Sequence, residues 1–166
     1  MIRFELQIDG ATEIDRAFNR IDRFISDFRN VWPAVTDEFY AIEESQFASQ
    51  GSKGASGRWA PLSKAYAAYK AQAFPGQPIL RAENSLYESL TSPEGLDSIY
   101  RATQFELTIG SKAPYATAHQ RGSGRMPARP PISLTESDKR RMQKAIQQGL
   151  VRFTRECGFQ VEERAA

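Results

Sequence analysis

Ile14, Phe18, Ile21, Ile25, Phe28, Trp32, Val35, Phe39 and Ile42 recur at alternating intervals of four and three residues. That spacing places all of them on one face of a long helix, and any fold of this chain has to cover that face. Thr12 is positioned to cap its start. Pro33 interrupts the pattern without shifting its phase, so the spacing predicts a kink or break near Asn30 to Trp32 rather than two unrelated helices. Aromatic side chains make the stripe bulky for a coiled coil. Burial against a sheet is the first expectation, and a helix seam between subunits is the second.

The elements around this helix follow from local pattern. Ile2, Phe4, Leu6 and Ile8 alternate with polar residues as a strand with one buried face would, and Asp9-Gly10 ends it. SQGSKGASG, 49 to 57, is a glycine- and serine-rich loop expected to be flexible. Arg58 to Gln72 reads as a turn and a helix with Leu62, Tyr66 and Tyr69 on one side, Pro61 near its start and Ser63 as a cap. A helix from Arg81 to Leu90 packs Leu86 and Leu90. Asp97 to Ala102 and Phe105 to Ile109 form an antiparallel hairpin about a Thr-Gln turn. Thr135 with Asp138 opens a last helix whose apolar face carries Met142, Ala145, Ile146, Leu150, Phe153 and Cys157. Gly149 weakens that helix slightly, Gly158 ends it, and 159 to 166 is expected to be a loose tail. The fold class is therefore α+β: a small antiparallel sheet packed by a long N-terminal helix and a C-terminal helix. At 166 residues one domain with a core is expected, spanning 1 to 166.

Between hairpin and last helix lies YATAHQRGSGRMPARPPI, 115 to 132. A short helix stops at Gly122 and Gly124, and Pro127, Pro130 and Pro131 keep the rest extended while removing three backbone donors. The remaining backbone groups need partners. We therefore expect a docking arm over 122 to 133 that becomes ordered, with the 49 to 57 loop, on contact with a neighbouring subunit. The expected interface residues are Trp59, Tyr115, His119, Gln120, Gly122, Arg125, Pro127, Arg129 and Pro130. On this reading Arg125→Ala with Arg129→Ala leaves the fold intact and blocks assembly.

Chemistry finds little support in the sequence. His119 is the only histidine and Cys157 the only cysteine, and no zinc, phosphate-loop or nucleophile-elbow motif accompanies them. Tyr115 and His119 lie at i and i+4 and are expected to pack together. The adjacent acidic pairs Asp37-Glu38 and Glu43-Glu44 read as solvated faces. We expect no enzyme activity, no cofactor and no metal. Hydrophobic content of 40% and charged content of 25% suit a globular domain, with no apolar run of membrane length. The opening residues lack the pattern of a signal peptide, which leads us to expect production in the cytoplasm.

Charge is polarised. Residues 1 to 50 sum to −5 and 121 to 166 to +5, around a net charge of +2. The two ends could pair helix against helix within one chain, or across neighbouring copies in a head-to-tail ring; both could equally be solvated. Lys139, Arg140, Arg141 and Lys144 form a basic turn on the last helix, a possible contact surface for nucleic acid.

PYATAHQRG with RMPARP, preceded by GRWAPLSKAYAAYK (57 to 70), ILRAENSLYESL (79 to 90) and FELTIGSKAPYA (105 to 116), resembles the phage virion morphogenesis or tail completion family, the Mu-type head-tail joining proteins of the phage neck. Glu83 and Asn84 stand where that family tends to have Thr-Gly, and Pro131 where an aromatic usually follows Arg-Pro. The resemblance implies a virion structural protein made in the bacterial cytoplasm. It would form a homo-oligomeric ring, a hexamer, at the head-proximal end of the tail. Its implied partners are further copies of itself, the tail tube or tail terminator, and the head connector, with incidental genomic DNA in the lumen and no membrane. The alternatives are a neck or head-completion connector ring and a DNA-binding accessory factor using the basic last helix.

Overall fold

The structure is a computed structural model that describes residues 16, 18–20, 22, 26–124 and 126–156. The expected N-terminal strand, the Thr12 cap, Arg125, Cys157 and the 159 to 166 tail lie outside them. Residues 16, 18–20 and 22 are helical, and residues 26 to 31 turn before the helix restarts as α1, Trp32–Ala48. Pro33 falls in the first turn of α1, where its missing N–H has no acceptor to lose. The break is tied to the hairpin loop: Phe28 N donates to Gln104 O at 2.8 Å and Trp32 Nε1 to Thr103 O at 2.7 Å, while the Phe28 and Trp32 rings stack 5.7 Å apart.

Beyond α1 come α2 (Lys64–Ala73), α3 (Ser85–Thr91), β1 (Ser98–Ala102), β2 (Leu107–Ser111), α4 (Ala116–Arg121) and α5 (Glu136–Glu156). This is a small α+β fold. The strands pair antiparallel, with Ser98 opposite Ser111 and Ala102 opposite Leu107. The turn is longer than Thr-Gln: Thr103 N donates to Glu106 O at 2.7 Å, so β2 starts at Leu107 and Phe105 stands exposed at the tip.

Within α1, helices more than the sheet cover the stripe, while Phe18, before the break, stands exposed. On one side of α1, Val31 and Val35 pack with Ala145 of α5, joined by Met142, Ile146, Leu150 and Phe153. On the other, Phe47 meets Trp59 edge-on at 5.4 Å and Tyr87 at 5.3 Å, above Leu86 and Leu90 of α3. The hairpin lies against α3 and meets the first cluster through Leu107 and through its loop, which accepts from Phe28 N and Trp32 Nε1. Two five-residue strands present too little surface to bury a helix of 17 residues.

α5 follows its sequence pattern. Asp138 N donates to Thr135 Oγ1 and Thr135 N to Asp138 Oδ2, closing the expected capping box. Gly149 has a packing role: a Cβ there would lie 3.1 Å and 3.2 Å from the two γ-methyls of Val31, so the glycine lets α5 approach α1. The 49 to 57 loop is bonded into the fold, since Trp59 N donates to Gln50 O and Ala55 N to Ser133 O. Gly51, at φ +87°, leaves no room for a Cβ, which would meet Trp59 Cδ1 at 2.6 Å.

α2 is capped by Ser63, which accepts from Tyr66 N. Tyr66 and Tyr69 stand exposed on it, and Lys70 is buried. α3 starts four residues later than the pattern implies. Asn84 adopts the left-handed conformation at φ +63° and accepts from Arg81 Nε at 2.9 Å. Asn is among the few side chains that tolerate this region, so the turn survives where the family tends to have glycine. Pro131 is buried, occupying the place expected of an aromatic anchor.

Candidate functional site

The proline segment docks on its own chain. Arg129 N donates to His119 O at 2.8 Å, and its guanidinium donates to Ala60 O at 2.7 Å and Pro61 O at 2.9 Å. Trp59 Nε1 donates to Pro130 O at 2.8 Å. The Gln120 amide donates to Ile132 O at 2.8 Å and accepts from Ile132 N at 3.3 Å. Gly122, at φ +80°, lets the chain leave α4, and a Cβ there would crowd Ala128 N and Met126 O at 3.1 Å. Thus Trp59, Gln120, Arg129 and Pro130, expected to meet a neighbouring subunit, make their described hydrogen bonds inside the monomer. Side-chain and main-chain donors supply the pairing that the prolines cannot, because the 57 to 61 stretch runs alongside.

That docking creates a groove of about 770 Å³, lined by the start of α2, the turn before α3, α4 and the proline segment. Tyr115, His119, Pro127 and Arg129 converge there with Leu62, Tyr66, Leu80 and Lys70. Tyr115 and His119 meet edge-on at 5.8 Å, as the i, i+4 spacing implies, and the Tyr115 hydroxyl hydrogen-bonds the Ser85 hydroxyl. Burial and the nearby Arg129 charge lower the His119 pKa, favouring the neutral ring, and its Nδ1 has no hydrogen-bond partner among the described residues.

Lys70 was not apparent from sequence as a site residue. Only 5% exposed, its ammonium donates to Pro78 O at 2.8 Å and Arg81 O at 2.7 Å, and burial lowers its pKa. Arg129 is equally buried. Neither cation has a carboxylate partner among the described residues. The groove is therefore apolar in lining and positive in charge, with Glu83 exposed at its rim as the one lining carboxylate.

The basic turn on α5 is exposed but partly neutralised. Arg141 pairs with Glu38 of α1 at 2.7 Å and Lys139 with Glu136 at 2.7 Å; Arg140 and Lys144 have no ion pair among the described residues. The Arg141–Glu38 contact joins the basic end to the acidic helix within one chain. Behind it, Glu43 is fully buried with both carboxylate oxygens unpartnered among the described residues, so the expected solvated face is corrected there. Burial and the Asp138 charge push its pKa to about 8.

No helix among the described residues is long and apolar enough to cross a membrane. The family model described as the phage virion morphogenesis family matches residues 9–151. No curated protein and no solved structure matches the chain.

Proposed function

The chain belongs to the phage virion morphogenesis family and so has a structural or assembly role in the phage virion, and from that premise we propose that it is a non-enzymatic ring subunit at the head-proximal end of the tail. The ring is a homo-oligomer, six copies by the family resemblance. It completes the tail and presents a surface to the head connector. The observation that carries this reading is the apolar, positively charged groove, which gathers Tyr115, His119, Pro127 and Arg129. A preformed groove favours repeated docking, because little ordering is left to oppose association. Partial neutralisation of the α5 basic turn favours this reading over the DNA-binding one.

The test is a phage lacking this gene. It should accumulate filled heads and separate, full-length tails, and purified protein added to the lysate should restore joined, infectious particles. Joined particles in the absence of the protein would overturn the assignment.

A further inference from the structure

The groove holds two buried cations, Lys70 and Arg129, that among the described residues donate to neutral carbonyls alone. Charge removed from water without an opposite charge is costly, so this site favours an occupant that is apolar and carries carboxylates. The same chain presents such a feature elsewhere. In the turn after α3, Leu96 is 90% exposed, with Glu94 two residues before it and Asp97 directly after it. Neither carboxylate has an ion pair among the described residues. A large aliphatic side chain left this exposed between acids is an apolar knob with negative flanks.

The knob is rigid. Ser98 Oγ donates to Ser92 O and Ser89 O, and Ser98 N donates to Gly95 O at 2.9 Å. A Cβ at Gly95 would fall 2.6 Å from Glu88 O, so the turn sits directly on the end of α3. The groove is built at the other end of that helix, where Asn84, Ser85 and Leu86 line it. Seven helical residues separate the two features by about 10 Å along the axis, and the fixed turn cannot fold back into its own groove.

Resting on the ring reading above, we infer that Leu96 of one copy inserts into the groove of the next, with Glu94 and Asp97 facing its Lys70 and Arg129. Knob and groove occupy different surfaces, so the contact is heterologous and propagates head to tail. Such an arrangement closes into a ring when the rotation between copies permits. It also gives the unpaired buried cations their counter-charge only on assembly.

The experiment is site-directed cross-linking in assembled particles. Leu96→Cys and Ala82→Cys, the second at the groove wall, are combined in the full chain with Cys157→Ser, and virions are treated with a short bismaleimide. A ladder of dimer, trimer and higher species is expected, whereas Leu96→Cys combined with Arg152→Cys on α5 should give none. Protein present in the particles but cross-linked no more than that control would overturn the knob-and-groove contact and leave the ring reading standing. Products stopping at dimer would also overturn it, because they mark reciprocal exchange within a closed pair. Wild-type protein absent from the particles would remove the ring reading and this contact together.

Discussion

Arg129 holds three neutral carbonyl and backbone partners where a sequence reader sees a surface cation. Its side chain donates to Ala60 O and Pro61 O, and it is 5% exposed. Arg129→Ala should therefore lower stability by about 2–3 kcal/mol, through two carbonyls left unpaired and lost packing, seen as a lower urea midpoint. This reverses the expectation of a fold-neutral change at that position. Nothing in ARPP shows that a carbonyl 69 residues away awaits the guanidinium; composition marks an extended segment, while tertiary packing decides what it binds. Glu43 gives a second test. Its folded pKa of about 8 exceeds the ordinary 4.5, so the folded state binds the proton more tightly than the unfolded chain. Its cost is absent below the lower value, grows as pH rises between the two, and is complete above pH 8, on the order of 3–5 kcal/mol. Glu43→Gln should raise the urea midpoint at pH 8 with little effect at pH 4.5. An equal effect at both values would mean that the carboxyl is not held protonated. His119 works in the opposite direction, since its lowered pKa costs stability as pH falls through 6.5 and below. Comparing the variant with wild type at each pH isolates Glu43 from it.

Among the elements, the interface of α1 and α5 shows how close packing can override helix propensity. An exposed Gly→Ala change in a helix interior gains about 1 kcal/mol. At Gly149 the new methyl would press on Val31, which is 2% exposed and stiff at Cβ. Gly149→Ala should therefore give no rise in melting temperature, and Gly149→Leu should lower it by many degrees; a stabilised Gly149→Ala would show that the helices can separate at little cost. At the start of α3, Asn84→Gly should be tolerated and Asn84→Ala should cost about 1 kcal/mol in chemical denaturation, because alanine is strained at φ +63°. The break before Pro33, the hairpin and the Thr135–Asp138 cap were legible because each rests on a local rule. The cover over the α1 stripe was not: periodicity reports that a face is buried and is silent on whether a sheet or a helix buries it. The same limit applies to α2, where two tyrosines at helical spacing proved exposed and a lysine between helix and loop proved buried. Charge offset by backbone carbonyls leaves no mark in the sequence.

At the scale of the whole molecule, charge polarity resolves in part within the chain, through Arg141 and Glu38. Among the described residues, the groove cations and the acidic turn at the other end of α3 are left without ion pairs. A subunit of this kind hides its cations until a neighbour arrives, which favours assembly on a template over spontaneous polymerisation. Four groove residues, Tyr115, His119, Pro127 and Arg129, were singled out by the sequence as expected interface residues, because they sit within fifteen residues of one another. Lys70 and the α3 turn were not, since only folding brings them across. The most direct measurement is electron microscopy of headless tails before and after addition of purified protein, with sedimentation velocity of the protein alone as reference. The account predicts a monomer in solution and a new ring at a single tail end. Unchanged tail ends, together with retention of the protein on DNA at moderate salt, would contradict it.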